Sequence, residues 1–228
     1  MKLISGAGSP EGGACWMSAI HWYTRGEKRN WTDQPECVST VIRDICVNIN
    51  DTLRSDAERE EVIGPYLFIP VGTRTTKEDD EKRKAICADK AIHVFAPFWL
   101  RKANVPELDA LARTLEAMPT IVTREDANAT VGALDEIHKK AGNTSAYASA
   151  SAHALAPAYA YASAYAYASA YASAYASAYA SASEQEWLHQ EVLKLILECC
   201  AVGRQPEERI ATKSRSECLE FLCSFDRK

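Results

Sequence analysis

From residue 158 to residue 183 every even position is alanine and every odd position is Tyr or Ser. The unit Ala-Tyr-Ala-Ser recurs most cleanly over 166–181, and the stretch contains no charge, Gly or Pro. Strict alternation is the signature of a strand, and Ala on one side with Ser and Tyr on the other resembles a silk-like sheet. A strand of this length would extend about 3.3 Å per residue with nothing to turn it, beyond what globular strands reach. Alanine has the highest helix propensity, and no breaker interrupts its accumulation over many turns. The segment is therefore expected to be one long helix.

At about 100° per residue, a four-residue unit overshoots a full turn by about 40°, so equivalent side chains wind slowly around the axis. Tyr165, Tyr167, Tyr171, Tyr175 and Tyr179 then fall on one half of the wheel, and Ser163, Ser169, Ser173, Ser177 and Ser181 on the other. Tyrosine rings bury apolar area while each hydroxyl seeks a partner. Such a face serves either as cover for the protein's own core or as a contact surface for another copy or another protein. Stacking on nucleic acid calls for a positive groove, and the repeat has no Lys or Arg.

The 228 residues suffice for one or two domains, and a net charge of −5 offers no polybasic surface for nucleic acid or anionic lipid. Neither a signal peptide nor a membrane span is legible, so a cytoplasmic protein is expected. The eight cysteines, Cys15, Cys37, Cys46, Cys87, Cys199, Cys200, Cys218 and Cys223, include no Cys-x-x-Cys pair. They read as free, mostly buried thiols. Without clustered Cys or His at ligand spacing, neither a metal nor a cofactor is expected.

Along the chain, Lys2, Leu3 and Ile4 suggest a vestigial strand ahead of a glycine-rich lead whose spacing is not that of a phosphate-binding loop. Ser9, Pro10 and Glu11 read as the start of a first helix running through Tyr23. Asp33 reads as the cap of a second, with Val38, Val41, Ile42, Ile45, Cys46 and Ile49 on its buried face. Ser55 caps a short acidic helix over 56–63, and the apolar run 66–72 reads as a buried extended connector. Thr75 or Thr76 caps a long helix that Pro97 ends or kinks. Helices over 106–118 and 123–140, one over 184–202 with Trp187, Leu188, Val192, Leu195, Ile196 and Cys199 inward, and a last over 206–225 complete about eight.

Two resemblances add to this. Gly13-Ala14-Cys15-Trp16 at a helix start is similar to the nucleophile segment of papain-like cysteine peptidases, and His153-Ala154-Leu155-Ala156 with Tyr159 is similar to the segment around that family's base. The resemblance implies a thiol-dependent hydrolase with Cys15 as nucleophile. The chain departs from it in having no Gln shortly before Cys15 and no Asn followed by Trp after His153. Separately, the segment around Cys15-Trp16-Met17-Ser18-Ala19, the run 31–38, Ala88-Asp89-Lys90-Ala91 before Phe95-Ala96-Pro97, and the Tyr-bearing repeat resemble a group of phage and bacterial proteins with no established activity. That resemblance implies a phage or bacterial cytoplasmic origin and a repeat whose length varies by slippage. It lends no catalytic residue.

The sequence thus reads as an all-α multi-helix bundle: an N-terminal helical domain over 1–142, a repeat helix over 143–183, and C-terminal helices over 184–228. The expected function is binding, sequestration or assembly, with another copy or another protein on the Tyr face. Thiol hydrolysis and silk-like assembly are its alternatives.

Overall fold

The computed structural model describes residues 2–6, 8–9, 11–25, 31–102, 104–142 and 182–204. The protein is predominantly α-helical: α1 (Trp16–Arg25), α2 (Thr40–Thr52), α3 (Asp56–Ile63), α4 (Lys77–Lys90), α5 (Ala96–Lys102), α6 (Pro106–Glu116), α7 (Arg124–Gly142) and α8 (Ala182–Ala201). Two two-residue strands, β1 (Gly8–Ser9) and β2 (Gly13–Ala14), make up the small sheet. The chain divides into two compact units, Met1–Asp80 with Ser177–Lys228, and Glu81–Ala176. No change of composition marks the boundary inside α4, which is why 1–142 reads from sequence as a single stretch.

In the first unit the glycine-rich lead forms an antiparallel hairpin, with Gly8 opposite Ala14 and Ser9 opposite Gly13. Gly8 has φ 72°, and a Cβ there would run into the Gly13 carbonyl. Ser9 is therefore a hairpin residue whose Oγ accepts the Gly12 N–H at 3.0 Å, not the expected helix cap, and the helix begins later, at Trp16. Gly12 and Gly13 are poor first-turn residues and good hairpin ones. A parallel bridge joins Leu3 to Ala14 on the other side.

Helix α2 also starts later than its sequence signal, because the Asp33 carboxylate is held by Arg43 at 2.8 Å. Val38, Val41, Ile42, Ile45, Cys46 and Ile49 are all buried, as their spacing requires. Arg59, itself 5% exposed, closes the end of α2: Nε donates to the Asn50 carbonyl at 2.8 Å and a terminal nitrogen to that of Leu53 at 2.5 Å. Those carbonyls are among the four that a helix C-terminus leaves without partners. Ser55 caps α3, its Oγ accepting the Glu58 N–H at 3.1 Å.

After α3, Leu67, Phe68 and Ile69 are buried, but the run is not extended. A 3-10 turn, Gly64–Tyr66, is followed by overlapping i to i+3 bonds, with Ile69 N–H to Tyr66, Val71 to Phe68 and Thr73 to Pro70 carbonyls at 3.0 to 3.2 Å. A buried connector has to satisfy its own backbone, and coiling does so without a neighbouring strand.

In the second unit, α4 runs into α5 through a π-helical segment, Ala91–Phe95. Pro97 has no N–H, and the wider turn, in which the Ala96 N–H reaches the Ala91 carbonyl, lets the helix pass it instead of stopping. His93 sits in this segment with Nε2 3.0 Å from the Met118 carbonyl and Nδ1 3.0 Å from Asp89 Oδ1. Pro106 occupies the first turn of α6. Thr123 and Asp126 open α7 with a reciprocal cap: the Asp126 N–H donates to Thr123 Oγ1 at 3.2 Å, and the Thr123 N–H to Asp126 Oδ2 at 2.8 Å. The core gathers Ile92, Leu100, Leu108, Leu115, Ile121, Leu134 and Ile137.

Candidate functional site

Cys15 stands immediately before α1. The Ser18 N–H approaches its sulfur at 3.4 Å and the Ser18 hydroxyl lies 3.2 Å from it, so the thiol takes the part that Ser or Thr usually plays at an N-cap. The position is fixed from outside the helix as well. Asn50 Oδ1 accepts the Trp16 N–H at 3.2 Å, Asn50 Nδ2 donates to the Ile4 carbonyl at 2.9 Å, and the Trp16 indole donates to the Leu67 carbonyl at 3.0 Å. Cys15 is 2% exposed. Burial pushes its thiol above the ordinary range, only partly offset by the bonds to Ser18 and Met17. A reactive thiolate needs the opposite environment, with access and a lowered pKa. The residue that sequence reading singled out as a nucleophile is here a helix cap in the core, and His153 lies outside the described residues.

The other thiols follow the same pattern. Cys46, Cys87, Cys199 and Cys200 are buried, and Cys37 is partly exposed. Burial raises the Cys46 thiol well above its usual value, with Cys200 and Cys15 adding in the same direction. Cys218 and Cys223 lie outside the described residues, as do Tyr165, Tyr167, Tyr171, Tyr175 and Tyr179 and the helix expected over 206–225. Of the 158–183 repeat only Ala182 and Ser183 are described, and they are the first two residues of α8.

Sequence reading missed a polar cleft of about 420 Å³ in the first unit, between α3, the Gly64–Tyr66 turn and the beginning of α8. Arg54, Glu58, Glu61 and Tyr66 line one side, and Gln185, Glu186, His189 and Gln190 the other. Glu58 is held in place: Oε2 accepts the Arg54 N–H at 2.7 Å, and Oε1 lies 4.0 Å from His189 Nδ1. His189 is 7% exposed, and among the described residues its buried Nε2 has no hydrogen-bond partner. Burial lowers its pKa; the Glu58 carboxylate acts against this shift and Arg54 with it, so the ring is neutral at neutral pH. The available signal was a polar residue inside the apolar stripe of α8, where Gln185, His189, Val192, Ile196 and Cys199 are all buried. Its partner, Glu58, is 131 positions away in the chain, and no local pattern links the two.

A second cleft, in the other unit, is mostly apolar and bounded by small side chains of α6 and α7, including Ala110, Thr114, Ala129 and Ala133. Among the described residues no three or more His, Cys, Asp or Glu are grouped to hold a metal ion, and no helix is long and apolar enough to cross a membrane. Compared with family models, curated proteins and solved structures, the chain matches none.

Proposed function

We propose that the chain is a non-enzymatic binding and assembly protein, whose contact surface is the Tyr face of the 158–183 repeat: Tyr165, Tyr167, Tyr171, Tyr175 and Tyr179. The observation that carries this reading is where the aromatic hydroxyls lie. Eight of the ten tyrosines fall between 147 and 179, in a stretch without a single charge. Tyrosine supplies large, rigid contact area with one polar tip, which is why it is enriched where proteins meet. The partner is a second copy of the chain or another protein. A helical form of the repeat is supported by Ala182 and Ser183, its last two residues, which lie within α8. The burial of Cys15 weighs against thiol hydrolysis.

Sedimentation equilibrium of the full chain, beside a variant with Tyr167, Tyr171, Tyr175 and Tyr179 changed to Ser, tests the reading. An oligomer that becomes a folded monomer in the variant supports a homomeric seam. A monomer in which the variant only loses stability overturns it, since the face then belongs to the core. Amide circular dichroism of the repeat peptide decides against a silk-like form if it is helical.

A further inference from the structure

His93, in the π-helical segment between α4 and α5, has both ring nitrogens against acceptors. Nδ1 is 3.1 Å from the Asp89 carbonyl oxygen and 3.0 Å from Asp89 Oδ1, and Nε2 is 3.0 Å from the Met118 carbonyl oxygen. Carbonyl oxygens only accept, so each end of the ring needs an N–H. A neutral imidazole has one and an imidazolium has two. The arrangement is complete only when the ring is charged; a neutral ring turns a lone pair on an oxygen at one end.

Charge decides which end gives way. Nδ1 faces a carboxylate as well as a carbonyl, and hydrogen bonds to an ionised acceptor are roughly twice as strong as neutral ones. A neutral ring therefore keeps its proton on Nδ1, and the Met118 carbonyl loses its donor. The linker between α6 and α7 remains tied on both sides of that point. The Met118 N–H donates to the Leu115 carbonyl at 3.1 Å, and the Ile121 N–H to Asp89 Oδ1 at 2.8 Å. Between these ties lies Pro119, which together with Met118 lines the apolar cleft between α6 and α7.

The surroundings leave the ring to titrate against one partner. The His93 side chain is 18% exposed and that of Asp89 24%, so protons reach the pair. Helices α5 and α6 pack against the π segment. Their Arg101, Asp109, Arg113 and Glu116 pair with one another, the linker 117–123 carries no charged residue, and Asp126 of α7 is turned to Thr123. Among the described residues, Asp89 is the one charged group paired with the ring.

We propose that His93 is a pH-sensitive latch: as an imidazolium it fastens the α6–α7 linker to the π segment, and on losing a proton it releases the Met118 carbonyl and loosens that edge of the cleft. The latch is closed on the acid side of histidine titration and opens as pH rises.

Nitrogen NMR of the full chain labelled in histidine, from pH 5.5 to 8, tests this together with hydrogen exchange over 116–122, corrected for the intrinsic rate at each pH. His93→Gln identifies the ring signals by their loss. The ring is expected to carry two N–H protons at pH 5.5 and the Nδ1 proton alone at pH 8. Over the same range exchange at Met118, Thr120 and Ile121 is expected to rise about fivefold, the ratio to which one net hydrogen bond amounts. In His93→Gln, whose amide does not titrate, the corrected rates should be independent of pH. A ring neutral at pH 5.5, a neutral form protonated on Nε2, a corrected rate that does not change in the wild type, or one that changes equally in His93→Gln overturns the proposal. Should that variant fail to fold, the wild-type ring decides alone: a shift from two protons to the Nδ1 proton, with the rise in exchange, supports the latch.

Discussion

Asn50 is the residue whose replacement should reveal most about how the first unit is held. Its side chain is 0% exposed on α2 and joins three segments distant in sequence. Oδ1 takes the Trp16 N–H, an orphan donor at the start of α1, and Nδ2 reaches the Ile4 carbonyl and, at 3.1 Å, Asp51 Oδ1. Asn50→Ala removes two long-range hydrogen bonds, each worth about 1 kcal/mol net, and leaves the buried Trp16 N–H unpaired at a further cost of about 1 kcal/mol. A loss of about 3 kcal/mol is therefore expected. With a urea slope near 2 kcal/mol/M, the unfolding midpoint should fall by roughly 1.5 M. Asn50→Asp separates hydrogen bonding from shape, because it keeps the acceptor for Trp16 but sets a carboxylate beside the Ile4 carbonyl and Asp51. That variant should be least stable at neutral pH and recover on acidification, when a protonated carboxyl can again donate to Ile4. Urea unfolding of the full chain, followed by tryptophan fluorescence and far-ultraviolet circular dichroism, measures both. A loss below about 1 kcal/mol for Asn50→Ala, or a pH response of Asn50→Asp no different from wild type, would refute the reasoning.

Cys15 should react with iodoacetamide far more slowly than Cys37 in the folded protein, as mapped by mass spectrometry, and catch up only in denaturant; equal folded-state rates would contradict its role as a buried cap. Thr123→Ala should cost about 1 kcal/mol through the lost α7 cap, and should let the Asp126 carboxyl, now held low chiefly by the Thr123 hydroxyl and backbone bonds, return towards its ordinary range in an NMR titration. His189 has a folded pKa below its unfolded value of 6.5, so the folded state binds fewer protons in that window. Its contribution is complete above about pH 6.5 and declines as pH falls through the folded pKa; His189→Gln should flatten this part of the stability profile, and an unchanged slope would show that other groups set it.

Local signals proved legible where partner and signal lie within one turn of each other. Ser55 with Glu58, Thr123 with Asp126 and Thr76 with the Asp79 N–H at 3.1 Å are all of this kind. Pro97 was legible as a perturbation but not in its outcome, because a stop, a kink and a π segment all remove the same unfavourable contact. The apolar run 66–72 signalled burial correctly, while its coiling depended on there being no strand beside it, which composition does not encode. At Asp33 a strong cap residue was taken instead by Arg43, ten positions on. In each case the local preference was real and a nonlocal contact decided the outcome.

The cleft follows from the same principle, and its geometry derives from a cap. Arg59 and Glu58 are neighbours on α3, but they serve different helices. Arg59 turns inward to the final carbonyls of α2, and Glu58 stands beside His189 of α8. The bonds that fix α3 on α2 therefore also set the carboxylate that stands 4.0 Å from the imidazole. Helices α2 and α8 pack against each other, so all three elements of the cleft wall are positioned by contacts outside it. Asn50, Arg59 and His189 share one trait visible in the sequence: each is a polar residue at a position that the helical period assigns to the interior. Such a residue has to find a partner across the fold. Asn50 and Arg59 find theirs in backbone groups of the same unit, whereas Nε2 of His189, near the start of α8, finds none among the described residues, so that the same burial which those two side chains turn into cross-links leaves this one as a cost.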